Sequence, residues 1–167
     1  MDGPVSENEK KSTPITPSLS NSAHAVNETR IRVRYAETDQ MGIVYHSNHF
    51  IWFEVGRVEL LRQLGFSYKE MEREDECFIA VVDARCRYKA PVLYDDEVVI
   101  RTCLKNIREK LIHFGYELLR FNTGELLAEG ETTHIVADKH MKPRALPEKY
   151  MTAFRAAVIS KRVGDNQ

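Results

Sequence analysis

The chain has 167 residues, enough for one domain with a tail, and 43% of them are hydrophobic. Its 24 basic and 25 acidic residues give a formal net charge of -1, so charge offers no case for nucleic acid or an anionic membrane as a partner. No apolar run approaches the roughly 20 residues of a membrane span, and the N-terminus lacks the layout of a secretory signal. The composition is that of a soluble globular protein.

Three cysteines, Cys77, Cys86 and Cys103, form an odd set without a C-x-x-C pair. This pattern fits reduced thiols in a cytoplasmic protein better than a disulfide framework or a zinc site. We therefore expect a cytoplasmic location.

Residues 1–28 hold no aromatic side chain and are rich in Ser, Thr, Asn, Pro and Glu. Such a segment cannot bury enough apolar surface to offset its ordering entropy, so it predicts a disordered tail. The sequence places one folded domain over residues 29–160, followed by a short C-terminal tail over 161–167. That domain opens with "TRIRVRYA", in which Ile31, Val33 and Tyr35 alternate with arginines as in a half-buried strand.

The next apolar pattern predicts the longest helix of the chain. In "NHFIWFEVGRVELLRQLG" apolar residues recur every three or four positions over much of the circumference, and Gly65 supplies a stop. A helix this apolar is usually covered on most sides. Glu54 and Arg57, three residues apart, predict an intrahelical ion pair or a pair across a dimer. Ser67, with Glu70 three residues later, predicts the N-cap of a shorter helix in "SYKEMERED".

Downstream, an alternation of period two predicts four strands in succession. They are "CFIAVVDARCRYKAPV", "DEVVIRTCLKNIREK", "LIHFGYELLRF" and "ELLAEGETTHIVADK", with turns at "LYDD" and "NTG". Short connections favour antiparallel pairing, and "LPEKYMTAFRAAVISKR" predicts a last helix opened by Pro147. The predicted fold class is α+β: a long central helix wrapped by a curled antiparallel sheet of about five strands. The edges of such a sheet favour pairing with a second copy.

The stretch between the first strand and the long helix carries a recognisable motif. It reads "YAETDQMGIVYHSNHFIWFEVGR", with an aromatic residue, Thr-Asp, two residues, glycine, two apolar residues, an aromatic residue and a helix start. This motif resembles the signature of the 4-hydroxybenzoyl-CoA thioesterase type of hotdog-fold acyl-CoA thioesterases. The order of the later elements extends the resemblance to about residues 29–158.

The resemblance implies hydrolysis of an acyl-CoA to the free acid and CoA, without metal or organic cofactor. It implies a homodimer or homotetramer in which the thioester lies across the dimer interface. The family's carboxylate falls on Asp39, as nucleophile or general base, and Tyr35 and His46 occupy positions linked to catalysis in the closest bacterial subgroup. The basic residues Lys105, Arg108 and Lys110 lie near the region where the family holds the adenine-nucleotide end of CoA.

The residue chemistry agrees with these roles. A carboxylate can attack a thioester or take a proton from water, and the first turn of a helix near His46 offers unpaired N–H groups for an oxyanion. Gly42 suits a loop that needs unusual dihedrals or close substrate approach. Tyr45, with Phe50, Trp52 and Phe53, could line an acyl pocket or belong to the core, depending on helix rotation.

Simpler interpretations stand beside these. Asp39 could cap a turn, His46 could cap or pack the helix, and Tyr35 could pack at a strand end. The basic cluster could be a solvated hairpin, and Asp39, His46 and His49 lack the fourth ligand of a metal site. Two other functions also fit: a hotdog hydratase or dehydratase, or a non-catalytic module that binds acyl-CoA or an acyl-carrier protein.

Overall fold

The computed structural model describes residues 25–158, so residues 1–24 of the predicted N-terminal tail (1–28) and the whole predicted C-terminal tail (161–167) lie outside the described residues. The strands are β1 (Val26–Arg32), β2 (Phe78–Tyr88), β3 (Glu97–Arg108), β4 (Leu111–Arg120) and β5 (Leu126–Ala137). The helices are α1 (Asn48–Gln63), α2 (Tyr68–Asp75) and α3 (Glu148–Ala157). β1 begins at Val26, ahead of the predicted domain start at Thr29. The strand starts earlier because its first residues form backbone hydrogen bonds with β3. Such backbone pairing does not need apolar side chains.

The strands form one antiparallel sheet in the order β1-β3-β4-β5-β2, with β1 and β2 at its edges. The strand register shifts between Val81 and Asp83, between Leu104 and Asn106, and between Leu118 and Leu119. Such irregularities bend a strand and increase its twist, so the sheet curls around the helix on its inner face. The predicted α+β arrangement is confirmed.

Helix α1 buries one stripe of its surface against the inner face of the sheet. The stripe consists of His49, Trp52, Phe53, Gly56, Arg57, Leu60 and Leu61. Phe53 stacks on Tyr116 of β4 with ring centroids 4.4 Å apart. A Cβ on Gly56 would lie 2.2 Å from Oγ1 of Thr102, so the absence of a side chain there lets helix and sheet approach closely.

A layer of buried polar side chains lies under the middle of α1. The Tyr116 hydroxyl and Nε2 of His134 each lie 2.8 Å from Oγ1 of Thr132. Burial, and then the nearby Arg57 cation, lower the pKa of His134 to about 3. The predicted intrahelical Glu54–Arg57 ion pair is wrong: Glu54 is exposed, Arg57 is buried, and no salt bridge joins them in the described residues. Their pairing across a dimer stays a prediction. Arg57 sits on the sheet-facing stripe because the stripe repeats with the helical period, which carries it inward with Phe53 and Leu60.

The local start and stop signals are confirmed. The Ser67 hydroxyl accepts the backbone N–H of Glu70 at the start of α2, and Gly65 adopts φ +88° after α1. Pro147 is the N-cap of α3. The three cysteines are free thiols.

Candidate active site

The loop between β1 and α1 folds back on itself as a tight hairpin. The Asp39 N–H donates to the carbonyl of Ile43 at 2.9 Å, and the Asp39 carbonyl accepts the N–H of Gly42 at 2.9 Å. Gly42 adopts φ +77°, the left-handed region that L side chains rarely occupy, although a Cβ there would meet nothing within 4 Å. The glycine therefore serves the turn by its dihedral angle and leaves open space beside it; its contact with substrate stays a prediction.

The side chain of Asp39 is only partly engaged. Its Oδ1 accepts the backbone N–H of Met41 at 2.8 Å, which is the turn-capping bond that the simpler interpretation expects. Its Oδ2 has no hydrogen-bond or salt-bridge partner within residues 25–158. One carboxylate oxygen thus holds the turn while the other stays open to a ligand.

Two unpaired backbone donors lie where α1 begins. The Tyr45 carbonyl accepts the N–H of Asn48 at 3.0 Å, and the His46 carbonyl accepts the N–H of His49 at 3.3 Å. Both carbonyls therefore point along the helix, and the N–H groups of His46 and Ser47 point out of its N-terminus. Neither N–H donates to an acceptor in the described part of the chain. Because the positive end of the helix dipole lies here, these donors suit a developing negative charge.

Glu37 connects this loop to the helix. Its carboxylate accepts the Trp52 indole N–H at 3.0 Å and the Arg34 backbone N–H at 2.7 Å. Its carbonyl accepts the Tyr45 N–H and the Asn48 side-chain amide, each at 2.8 Å. Burial would raise the pKa of Glu37, but bonds from Arg34 and Trp52 outweigh it and lower that pKa. The sequence motif assigns no role to Glu37, and its i,i+3 spacing from Arg34 is the one signal that points to it.

Aromatic side chains surround the loop on the outside. Tyr35 lies in a 3-10 turn over Tyr35–Glu37 and is 78% exposed. Its prediction as an inward residue of a strand is therefore wrong, because the chain leaves β1 at Arg32 and turns. The Tyr35 ring meets Tyr94 edge-on at 5.8 Å, and Tyr45 is also exposed.

The predicted acyl-pocket aromatics divide between core and surface. Trp52 and Phe53 belong to the buried core, Phe50 is half-buried and only Tyr45 is exposed. Tyr88, in the "RYKAP" stretch, reaches the loop from β2. Its hydroxyl donates to the His46 carbonyl at 3.1 Å.

The basic cluster lies on a different part of the fold. Lys105 of β3 forms an ion pair with Glu131 and lines a cavity of about 520 Å³ on the outer face of the sheet. Arg108 ends β3, and Lys110 lies in the following turn. Within the chain no hydrogen bond or ion pair of the described residues joins this cluster to the Asp39 loop.

Among residues 25–158, no group of three or more His, Cys, Asp or Glu side chains could hold a metal ion. The Nδ1 atom of His49 lies 3.1 Å from the His46 carbonyl instead. In the same range, no helix is both long enough and apolar enough to cross a membrane.

The sequence pattern of the family described as "Thioesterase-like superfamily" matches residues 33–158. The chain belongs to this family. The match contains the Asp39 hairpin, the start of α1 and all the later strands.

The names of two relatives, a putative acyl-CoA thioesterase and an acyl-CoA thioester hydrolase, agree with this family assignment. YneP of Bacillus subtilis (strain 168) is 39% identical over 137 residues, 79% of this chain and 97% of that protein. The acyl-CoA thioester hydrolase YbgC of Escherichia coli O6:H1 (strain CFT073) is 32% identical over 126 residues, 75% of this chain and 92% of that protein.

A solved structure, the DHNA-CoA thioesterase from Staphylococcus aureus, superimposes with a TM-score of 0.75. It is 33% identical to this chain and covers 78% of it and 89% of its own length. The predicted family, the hotdog fold and the enzyme class, a thioester hydrolase, are confirmed. The roles of single residues and the cytoplasmic location stay predictions.

Proposed function

We propose that this thioester hydrolase cleaves acyl-CoA to the free acid and CoA, with Asp39 as nucleophile or general base. The observation that carries this proposal is the geometry of one loop. The open Oδ2 of Asp39 and the unpaired N–H groups of His46 and Ser47 belong to the two ends of the same hairpin. The names of YbgC and of the Staphylococcus aureus enzyme support a CoA thioester as the substrate.

In the general-base route, Asp39 takes a proton from water and the water oxygen adds to the thioester carbonyl. The oxyanion accepts hydrogen bonds from the N–H groups at the start of α1. The C–S bond then breaks, and the CoA thiolate takes up the proton from Asp39. The free acid and CoA leave the site.

In the nucleophilic route, an Asp39 oxygen adds to the carbonyl and displaces the CoA thiolate, leaving a mixed anhydride. Water then hydrolyses the anhydride to the free acid and the Asp39 carboxylate, and the proton that water loses goes to the CoA thiolate. A single turnover in ¹⁸O-labelled water tests for the anhydride. When water attacks the carbonyl that comes from Asp39, the label enters the Asp39 carboxylate. In the general-base route all of the label enters the released acid.

His46, Tyr35, Gly42 and Tyr45 complete the proposed site. The exposed rings of Tyr35, Tyr45 and His46 surround the loop and can contact substrate. Lys105, Arg108 and Lys110 are proposed to meet the CoA phosphates. Within one chain no hydrogen bond or ion pair of the described residues joins this cluster to the loop, so a substrate spanning two subunits would connect them.

The sheet has an edge strand to which a second copy of the chain could pair. β2 is a terminal strand of the sheet, and its residues Val81 and Val82 are 53% and 56% exposed. Exposed apolar side chains on an unpaired edge favour strand pairing with another chain. We propose a homodimer joined through β2, or a homotetramer built from it. An acyl-carrier protein as partner stays a prediction.

The test is release of CoA from benzoyl-, acetyl-, isobutyryl- and palmitoyl-CoA, followed by a thiol reagent with correction for the three cysteines. A parallel assay with crotonyl-CoA measures water addition to the double bond. Turnover in the first assay alone supports the proposal. Hydration without CoA release would favour the hydratase, and binding without either reaction would favour a binding module.

A further inference from the structure

Three donors converge on a single backbone oxygen at the start of α1. The His46 carbonyl accepts the Tyr88 hydroxyl at 3.1 Å, the His49 N–H at 3.3 Å and Nδ1 of His49 at 3.1 Å. A carbonyl can only accept, so Nδ1 carries the proton of the His49 ring. Burial lowers the pKa of His49, which keeps the ring neutral in this tautomer. Two of the donors belong to α1, and the third comes from β2.

The geometry of the peptide unit connects this oxygen to the proposed oxyanion site. The His46 carbonyl and the Ser47 N–H belong to one planar trans peptide, in which C=O and N–H point in opposite directions. Fixing the carbonyl towards Tyr88 therefore fixes the direction of the Ser47 N–H, which has no acceptor in the described residues. Hydrogen bonds to the carbonyl also polarise the peptide and strengthen its N–H as a donor.

We propose that Tyr88 is a positioning residue whose hydroxyl holds the His46–Ser47 peptide, so that the Ser47 N–H stabilises the oxyanion. The inference rests on the proposed thioester hydrolysis. The Tyr88 ring also lies nearly perpendicular to the rings of His49 and His46, with centroids 4.8 Å and 6.4 Å away, and these contacts help to position its hydroxyl. Tyr88 is 47% exposed, yet partial burial and the neighbouring Cys86 raise its pKa to about 12, and the hydroxyl remains a donor at neutral pH.

The substitution Tyr88→Phe removes the hydroxyl and keeps the ring. Tyr68→Phe is the matched control, because the Tyr68 hydroxyl also donates to a backbone carbonyl, that of Ile79, at 2.9 Å. Tyr68 lies at the start of α2 and outside the Asp39 loop. Loss of one neutral hydrogen bond predicts that Tyr88→Phe lowers kcat about 3- to 10-fold. KM and the Kd of free CoA should be unchanged, while Tyr68→Phe should keep wild-type kcat.

A spectroscopic measurement reports the oxyanion donors directly. Of the four acyl-CoAs assayed above, the one with the fastest turnover is labelled with ¹³C at its carbonyl. It is then bound to the Asp39→Asn variant, in which hydrolysis should be slow. The carbonyl stretch should lie at lower frequency than in water, and adding Tyr88→Phe should move it part of the way back. The same substitution at Tyr68 should leave the frequency unchanged.

The outcomes separate the two proposals. Wild-type turnover with unchanged kcat and frequency in Tyr88→Phe would overturn the role of Tyr88 and leave the proposed function intact. Equal losses of kcat in both tyrosine variants would show a structural effect and also overturn it. Absence of turnover by the wild type on every acyl-CoA would overturn the proposed function, and this inference with it.

Discussion

The buried indole of Trp52 donates its N–H to the buried carboxylate of Glu37 at 3.0 Å. This bond joins the loop that carries Asp39 to the second turn of α1. The same carboxylate receives the Arg34 N–H, and its backbone carbonyl receives the Tyr45 N–H. Glu37 therefore holds both ends of the hairpin in one position relative to the helix.

Glu37→Ala should lower the free energy of unfolding by about 1–3 kcal/mol, because it leaves the buried Trp52 N–H without an acceptor and removes the acceptor of the Arg34 N–H. Glu37→Gln should cost less, since an amide oxygen can still accept one of them. Urea unfolding of Glu37→Ala, Trp52→Phe and the double variant measures the coupling between them. We expect at least about 0.5 kcal/mol, and strictly additive losses would contradict the proposed connection.

Gly56→Ala should destabilise the protein by about 1–3 kcal/mol, since the new methyl group would overlap Thr102 and Ile100. Adding Thr102→Ala removes the nearer of the two overlapping side chains. The double variant should therefore lose less stability than the two single variants lose in sum. Thermal or urea unfolding of the three variants tests this. If Gly56→Ala alone is neutral, the close packing of α1 on β3 is not what sets the helix position.

His134 makes stability depend on pH. Its folded-state pKa of about 3 lies below the ordinary 6.5, so between these values the unfolded chain binds a proton that the folded protein does not. Stability should therefore fall as the pH drops below 6.5, by up to about 1.4 kcal/mol per pH unit for this group. Urea unfolding from pH 7 to 4.5 should show a shallower slope for His134→Asn. Thr102→Val, which changes another buried polar side chain and keeps both His134 and its partner Thr132, should retain the wild-type slope, and equal slopes in all three proteins would contradict this account.

Arg108→Gln and Lys110→Gln should each raise KM for acyl-CoA about tenfold with little change in kcat, as expected for loss of a phosphate contact. The acyl thioester of N-acetylcysteamine, which lacks the nucleotide, should be insensitive. Lys105 should matter less, because Glu131 already pairs with it. Lys139→Gln removes an exposed lysine paired with Glu76 and serves as control. Equal KM effects on both thioesters would argue against phosphate recognition.

Features set by local chemistry could be predicted from the sequence. Ser67 as a cap and Gly65 as a stop act within a few residues, and the alternation of the later strands reflects one buried face of a sheet. The motif around Asp39 predicted a candidate carboxylate in the loop that precedes the N-terminus of α1.

The rest depends on contacts between distant residues. Glu37 stands in a polar stretch and is buried because Trp52 of α1 reaches it. Arg57 and His134 are polar residues whose burial follows from the close approach of α1 and the sheet. Alternation predicted Tyr35 to point inward, but the chain turns after β1, and period-two patterns cannot show where a strand ends.

The central claim is that the Asp39 carboxylate drives thioester hydrolysis. The most direct test compares the kcat of wild type, Asp39→Asn and Asp138→Asn on the best acyl-CoA of the panel. Asp138 is the matched control, since its Oδ1 also accepts backbone N–H groups of its own turn, from His140 at 2.8 Å and Lys142 at 2.9 Å. Asparagine keeps such an acceptor at both positions, so both variants should fold. We predict a fall of at least about 100-fold for Asp39→Asn and near wild-type turnover for Asp138→Asn. Retention of most of the wild-type turnover by Asp39→Asn would contradict the account.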